Sequence, residues 1–261
     1  MTDSITLATT RRIECPSGLV GTIRGLKVRE ERVLADRRLA RSGAQMDALL
    51  SACWLETEDP GPYTVGEGGA LPWESVLQGD RFFALLQIRA LTYGDEYAFT
   101  LDCSNTDCRR KIDWTLNLSE LPVRRLSDAS REALLAGNRV NTQLPGCGRS
   151  ATFSLATGAD ERRLTKLRET QPDRFLSALL AIRVQELEGV PAQEKRRALE
   201  DLSMRDARHL IQAFEQADCG VETGIELECS KCLNVMQVDL PLDPSFLWPS
   251  RKTPLSSPSA A

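Results

Sequence analysis

The chain has little of what catalytic sites are usually built from. It contains a single histidine, His209, in 261 residues, and aromatic residues make up only 5% of it. His209 lies in an apolar helical pattern, which is more typical of a half-buried packing residue than of a general base. The glycine-rich stretch 66–69 has neither a preceding strand nor a following helix start with a lysine, so it is no phosphate-binding loop. We therefore expect a protein that is not an enzyme.

An excess of positive charge and long apolar runs are also missing. The chain has 33 lysines and arginines against 37 aspartates and glutamates, a formal net charge of −4. This balance creates no basic field of the kind that non-specific nucleic-acid binding requires, so we expect no nucleic-acid partner. No apolar stretch is long enough to cross a bilayer, and residues 1–10 do not resemble a secretory signal. We expect no membrane partner and synthesis in the cytoplasm.

What the chain does have is an internal repeat: residues 22–103 align with residues 152–229. At a shift of 130 residues the matches include Thr22 with Thr152, Glu31 with Glu161, Leu34 with Leu164, and Ala48-Leu49-Leu50 with Ala178-Leu179-Leu180. At a shift of 126 they include Asp80 with Asp206, Gly94 with Gly220, Leu101 with Leu227, and Cys103 with Cys229. The matches occupy helix, strand and packing positions, which predicts two units with the same local chain path.

This repeat predicts an α+β fold that is internally duplicated, each half combining helices with a β-hairpin. We place the first unit at residues 1–126, the second at 127–248, and a disordered Ser/Pro-rich tail at 249–261. Predicted strands cover 5–13, 19–23, 97–101, 112–118 and 236–242. Predicted helices cover 28–39, 44–55, 77–91, 127–138, 160–169, 173–186, 192–202 and 204–216. Residues 57–72 are predicted to form a long loop.

Each unit ends in a close cysteine pair, Cys103-x4-Cys108 and Cys229-x2-Cys232. Both spacings allow one short turn to direct two thiolates at one metal, although the first is longer than the second. If the two halves face each other, their turns can complete a four-cysteine zinc site that needs no histidine. The competing interpretation is a set of reduced thiols at hairpin tips. A closed four-thiolate site leaves no position for substrate, so the zinc would be structural.

Four cysteines remain outside these pairs. Cys53 lies in an apolar run and is predicted to be a core residue, and Cys219 precedes a turn at Gly220. Cys15 and Cys147 occupy similar places before the first strand of each repeat, which permits a second metal site. Two thiols alone would form a poor one.

The order of several segments resembles a known family. These segments are residues 16–18 (PSG), 23–31 (IRGLKVREE), 77–81 (LQGDR) and 88–97 (IRALTYGDEY), followed by the first cysteine pair and, more weakly, by the second pair and residues 246–248 (FLW). Together they resemble the baseplate proteins of contractile-tailed phages of the T-even type and related injection systems. The resemblance implies a non-enzymatic component of the baseplate hub or its assembly, with other hub and wedge proteins and the tape-measure protein as partners.

The resemblance further implies assembly in the cytoplasm of the bacterial host and a final place in the tail baseplate. The alternative from another class is a zinc-ribbon module for nucleic acid or transcription, which requires basic and aromatic residues beside both cysteine pairs. Arg109-Arg110-Lys111 with Trp114 forms such a group at the first pair, whereas Lys231 stands nearly alone at the second. An open catalytic zinc is a third possibility, but the sequence offers no acid or base for it.

Overall fold

The computed structural model describes residues 10–240 and 246–247, and it mixes helices with antiparallel sheets. The α+β prediction is therefore confirmed. The first half contains β1 (Thr10–Glu14), β2 (Val20–Arg24), α1 (Glu31–Ala35), α2 (Arg37–Ser42), α3 (Gln45–Cys53), β3 (Trp54–Asp59), α4 (Gln78–Tyr93), β4 (Glu96–Asp102), β5 (Lys111–Asn117) and β6 (Val123–Arg124).

The second half begins with a helix and then runs through a similar order of elements. It contains α5 (Asp128–Leu135), β7 (Val140–Gln143), β8 (Ser150–Phe153), α6 (Gly158–Thr170), α7 (Phe175–Arg183), β9 (Val184–Leu187), α8 (Lys195–Glu200), α9 (Met204–Ala217), β10 (Gly220–Val221), β11 (Gly224–Glu228) and β12 (Val235–Asp239). Among the described residues no helix is long and apolar enough to cross a membrane.

Each half holds a three-stranded antiparallel sheet, β1-β2-β3 in the first and β7-β8-β9 in the second. The ladder between β2 and β3 is interrupted between Thr22 and Ile23. The ladder between β8 and β9 is interrupted between Thr152 and Phe153, which are the aligned positions. A bulge bends its strand and changes where the next side chains point, so the two sheets share a local distortion as well as an order of strands.

Two sequence predictions about β3 and β9 were wrong. Residues 57–59 belong to β3 and not to the predicted loop, and the helix predicted over 173–186 ends at Arg183, where β9 begins. In both places an apolar helix turns directly into the third strand of the sheet. Periodicity did not reveal this change because a short apolar segment satisfies a helix and a strand alike.

The helix predicted over residues 28–39 is also corrected, because the chain breaks it at Asp36. This residue has an extended backbone (ψ 103°), and its carboxylate accepts hydrogen bonds from the backbone N–H groups of Arg38 and Leu39. An aspartate that caps a helix in this way ends one helical segment and starts the next. A 3-10 turn over Val28–Glu30 precedes the two short helices.

The two halves have separate cores. Leu19, Ile23, Leu50 and Ile88 are in the first core. The second contains Leu144, Phe153, Leu180, Leu210 and Phe214. Burying one side chain of this size contributes about 1.5–3 kcal/mol, so these clusters supply much of the stability of each half.

Backbone contacts join the halves directly. Strand β6 pairs with β10, and α4 passes close to β10. A Cβ atom added at Gly79 would lie 2.0 Å from the carbonyl oxygen of Cys219, so only glycine permits this approach.

A buried arginine also links the halves. The Arg81 side chain is 1% exposed and donates to Asp47 and to the Trp73 carbonyl within the first half. It also donates through Nε to Glu161 of α6 at 3.2 Å. A buried charge is tolerated only when it is paired in this way, so Arg81 makes the position of α6 against the first half specific.

The described residues include only part of the segments predicted at the two ends of the chain. The first part of the strand predicted over 5–13, the last part of the strand predicted over 236–242, and the disorder predicted over 249–261 lie outside the described residues. The helices predicted over 77–91, 127–138, 160–169, 192–202 and 204–216 are confirmed, with ends shifted by a few residues.

Candidate metal centre

The four cysteines of the two close pairs lie at the ends of two β-hairpins. The hairpin β4–β5 carries Cys103 and Cys108 in its turn, and the hairpin β11–β12 carries Cys229 and Cys232. The hairpins face each other through the side chains that alternate inward along their strands: Phe99, Leu101 and Ile112 from the first, and Ile225, Leu227, Met236 and Val238 from the second. This shared apolar layer positions one turn against the other.

Both turns are closed by the same kind of backbone hydrogen bond. The N–H of Cys103 donates to the carbonyl of Arg110, and the N–H of Cys229 donates to the carbonyl of Asn234. Between the turns, the Asn234 side-chain amide donates to the Ser104 hydroxyl at 2.9 Å. The two turns therefore hold their shape individually and contact each other beside the thiols.

The residue after the second cysteine of each turn has a left-handed backbone. Arg109 has φ 44° and Leu233 has φ 58°, and both follow directly on a cysteine. This conformation costs a residue with a Cβ roughly 1–2 kcal/mol, and such strain persists where the surrounding structure imposes it. Here it directs both thiols of a turn to the same side.

The sulfur atoms form a cluster of the size that a tetrahedral metal site requires. All four Sγ atoms lie within 4.8 Å of one another. Across the two turns, the Cys103 and Cys232 sulfurs are 3.7 Å apart, and the Cys108 and Cys229 sulfurs are 3.9 Å apart. A tetrahedron with Zn–S distances of about 2.3 Å has sulfurs about 3.8 Å apart. The side chains present thus fit one Zn²⁺ ion with no further ligand.

Two of the four thiols, Cys103 and Cys229, have pKa values that are shifted in opposite directions. Backbone N–H groups of Cys232 and Lys231 point at the Cys229 sulfur and lower its pKa. An N–H of Asn105 lowers the pKa of Cys103, but burial and hydrogen bonds with the thiols of Cys232 and Cys229 outweigh it and raise the pKa overall. Clustered thiols resist losing all their protons without a cation, whereas a bound metal keeps each of them as thiolate.

The remaining cysteines are dispersed. Cys15, Cys53 and Cys219 are buried, while Cys147 is exposed in the turn between β7 and β8. Burial raises the pKa of Cys15 and of Cys219, so both remain protonated thiols at neutral pH. Within residues 10–240 and 246–247, the only group of three or more cysteine, histidine or acidic side chains placed to hold a metal is the four-cysteine cluster.

The surface around the cluster carries mixed charge. Arg109, Arg110 and Lys111 are exposed at the first turn, and Trp114 is 37% exposed, but Lys231 is the only basic residue between positions 220 and 240. Exposed acidic residues surround both turns: Asp102, Asp107, Asp113, Glu226 and Glu228. A stripe of basic and aromatic residues shared by both hairpins, which a zinc-ribbon nucleic-acid module needs, is not present in this described region.

A cleft of about 950 Å³ lies between the two halves, away from the thiols, and its lining is mostly apolar, with Leu77, Phe82 and Val221 among the contributors. Of its three acidic lining residues, Glu161 pairs with Arg81 and Asp218 pairs with Arg183. The third, Glu31, forms no ion pair within the described residues. The cleft is thus a mostly apolar space in which two of the three carboxylates are neutralised by arginines.

His209 occupies the half-buried helical position that the sequence indicated. Its Nε2 lies 2.9 Å from the Thr142 hydroxyl, in a contact between α9 and β7. What sequence reasoning missed around the cysteines is the contact between Ser104 and Asn234 and the left-handed residues Arg109 and Leu233. No sequence pattern predicts these features. The contact between Ser104 and Asn234 depends on how the halves pack, and arginine and leucine rarely adopt a left-handed backbone.

Comparison with known proteins agrees with the resemblance found in the sequence. A family model described as T4 bacteriophage base plate protein matches residues 8–247, nearly the whole chain. No curated protein and no solved structure matches the chain.

Proposed function

The chain belongs to the T4 bacteriophage base plate protein family, and from this premise we propose that it works in the hub region of a contractile-tail baseplate. Membership implies a structural role, association with other baseplate components and a place in the virion tail. The proposal is more specific: a non-enzymatic component that is assembled in the host cytoplasm and contacts hub, wedge and tape-measure proteins. The match over residues 8–247 carries it.

The proposal includes an internal duplication, with a first unit over residues 1–126 and a second over 127–248. Three aligned features support it. The sheets share a bulge at Thr22/Ile23 and Thr152/Phe153. The residue after each cysteine pair is left-handed, and an aspartate near the start of a long helix holds the first turn of each sheet. Chance similarity would not be expected to match a bulge, a strained residue and a buried hydrogen bond together.

The proposal also includes one structural Zn²⁺ held by Cys103, Cys108, Cys229 and Cys232. Bound there, the ion would crosslink the two hairpins, and hence the two halves, by replacing four thiol protons. The fit of the sulfur separations to a tetrahedron supports this assignment. With four thiolates the coordination shell is full, so the site suits a clamp and not hydrolysis.

A rigid clamp suits a baseplate part, because such a part must keep its shape while it is loaded by the contraction of the tail. Buried ion pairs such as Arg81 with Glu161 would fix the same interface between the halves. The zinc-ribbon module remains the alternative from another class, and only the basic group at Arg109–Lys111 favours it.

The test is affinity capture of the tagged full-length chain from phage-producing cells, with mild crosslinking, mass spectrometry and a nuclease-treated control. We expect hub, wedge or tape-measure proteins, in amounts that nuclease does not change. Cys229→Ser should reduce their recovery if the clamp shapes the docking surface, whereas Cys147→Ser, an exposed cysteine outside the cluster, should not. Recovery of polymerase subunits or of nuclease-sensitive complexes without tail proteins would overturn the hub proposal.

A further inference from the structure

The helices α1 and α2 carry an unusual concentration of positive charge for a chain with a net negative charge. Residues 27–42 contain six basic residues and three acidic ones. Of the three acidic side chains, Glu30 is buried against Arg24, and Asp36 is occupied in capping α2. Fewer acidic groups are therefore free to neutralise the basic residues of this surface than the composition indicates.

The arginines of α2 form no ion pair with the part of the chain that the structure describes. Arg37, Arg38 and Arg41 are exposed, and within the described residues none of them forms an ion pair. Helix α2 contacts α6, where Arg163 and Lys166 are exposed as well. We call Arg37, Arg38, Arg41, Arg163 and Lys166 the basic helical surface. It combines residues of both halves, so its charge density depends on how they pack.

The hairpin β11–β12 has a surface of the opposite charge. Its inward side chains pack on the other hairpin, which leaves Glu226, Glu228 and Asp239 exposed on the outward face. None of the three forms an ion pair within the described part of the chain, and Glu226 only accepts a hydrogen bond from Gln237. Val235, 53% exposed, lies on the same face, which we call the acidic hairpin face.

We propose that the acidic hairpin face of one copy of this chain docks on the basic helical surface of another copy. The argument is charge complementarity: apart from Arg163, which contacts Asp160 at 4.0 Å, the charged groups of each surface form no ion pair within the described residues, and each surface would be neutralised by the other. An exposed valine on the acidic face, and Val28 at 85% exposure beside the basic helices, add apolar area that such a contact could bury.

The contact would be head-to-tail, because it joins two different surfaces. Repetition of such a contact produces a ring when the rotation between copies closes, and an open array when it does not. A closed ring of copies has the geometry of a component that surrounds an axis. The inference goes beyond the hub assignment, since it concerns the contact between copies and not the other baseplate proteins.

The experiment is sedimentation velocity of the full-length protein, up to about 100 µM, in about 50 mM and about 500 mM NaCl. We expect reversible association at low salt, weakened at least about tenfold at high salt because salt screens exposed charges. Arg38→Glu with Arg41→Glu should abolish association, and so should Glu226→Lys with Asp239→Lys. These residues lie outside the metal cluster, so each variant should keep its zinc and its circular dichroism spectrum.

The decisive sample is an equimolar mixture of the two charge-reversed proteins. The reversed hairpin of one is complementary to the reversed helices of the other, and the unchanged hairpin and helices also match. The two proteins should therefore associate with each other although neither associates alone. As a matched control, Arg205→Glu with Arg208→Glu reverses two exposed arginines of α9 and should associate like the wild type.

A protein that is monomeric under all these conditions would overturn the inference, and so would association that the charge reversals do not change. A duplex DNA is added in a parallel titration. If the basic helical surface bound DNA while the protein stayed monomeric, the surface would be assigned to nucleic acid and the contact between copies rejected. Either result would leave the capture experiment on hub partners unaffected, so failure of this inference and failure of the hub proposal are distinguishable.

Discussion

In each half an equivalent aspartate holds the turn between the first two strands of the sheet. The pKa values of the two aspartates shift in opposite directions. Asp80, in α4, accepts hydrogen bonds from the backbone N–H and the hydroxyl of Ser17 and from the Tyr63 hydroxyl. Asp206, in α9, accepts from the Gly146 N–H and the Ser203 hydroxyl. Both carboxyl groups join the first sheet of a half to the helix that leads into its cysteine hairpin.

The balance between desolvation and donated hydrogen bonds decides the difference between these aspartates, because both side chains are buried, at 0% and 1% exposure. At Asp80, desolvation raises the pKa despite the bonds from Ser17 and Tyr63. For Asp206, burial also favours the neutral form, but the donors of Gly146, Ser203 and Cys147 together outweigh it and lower the pKa. Whether donors or desolvation prevail therefore decides the direction in which the pKa of such an aspartate shifts.

The largest expected effect comes from removing the metal that we propose the two halves share. Cys229→Ser should lose the zinc and lower the free energy of unfolding by about 4 kcal/mol, because a structural metal stabilises only the folded state. Metal analysis and thermal melting measure both quantities. Cys147→Ser should keep its full zinc content and lose far less stability, because a serine hydroxyl can still donate to Asp206. Full zinc content and unchanged melting of Cys229→Ser would reject the clamp.

The two aspartates are compared by replacing each of them with alanine. Asp80→Ala should cost about 3 kcal/mol, because it leaves the Ser17 and Tyr63 donors buried without an acceptor. Asp206→Ala should cost about 2 kcal/mol, because the hydrogen bonds from Gly146 and Ser203 are only partly buried and water can reach the neighbouring exposed turn at Cys147. Urea unfolding measures the two losses. Equal losses would mean that the burial of Asp80 has no energetic consequence.

A smaller effect of the opposite sign is expected at the second cysteine turn. Leu233 is 68% exposed and left-handed, so Leu233→Gly should stabilise the protein by up to about 1 kcal/mol by relieving backbone strain. Thermal melting of the zinc-loaded protein measures the gain. Leu233→Ala, which removes the same apolar side chain but keeps the Cβ, is the control and should give none of it. A gain shared by both variants would attribute the effect to the exposed side chain.

The smallest expected effect is an opposite pH dependence of the two anchors. The raised folded pKa of Asp80 means that its contribution to stability is present at acidic pH and is lost as pH rises through that pKa. The lowered folded pKa of Asp206 means that its contribution is present above the unfolded pKa of about 3.9 and is lost as pH falls through the folded pKa.

Melting of Asp80→Asn and Asp206→Asn between about pH 2 and pH 7 tests this contrast, because the Asp206 contribution changes below its unfolded pKa. Relative to the wild type, Asp80→Asn should become more favourable as pH rises, and Asp206→Asn less favourable. Parallel profiles for the two variants would show that both aspartates have the same charge state in the folded protein.

Much of the architecture was predictable because it follows from local chemistry. The alignment of Asp80 with Asp206 and of Cys103 with Cys229 located corresponding points that the structure also uses in corresponding ways. The long helices α4 and α9 followed from apolar periodicity. The break at Asp36 and the strands β3 and β9 were missed, since a cap inside a helical pattern and a short apolar strand leave no distinct periodicity.

The sequence by itself determined the family resemblance, the α+β class and the four thiols that could share a metal, because order, periodicity and spacing are properties of the chain. Only the tertiary structure decided that sulfurs 121 and 129 residues apart in the chain lie within 4 Å of each other. It also decided that Asp80 and Asp206 have shifted pKa values of opposite direction. Both outcomes depend on which surfaces of the two halves exclude water when they pack, and residue spacing does not encode that.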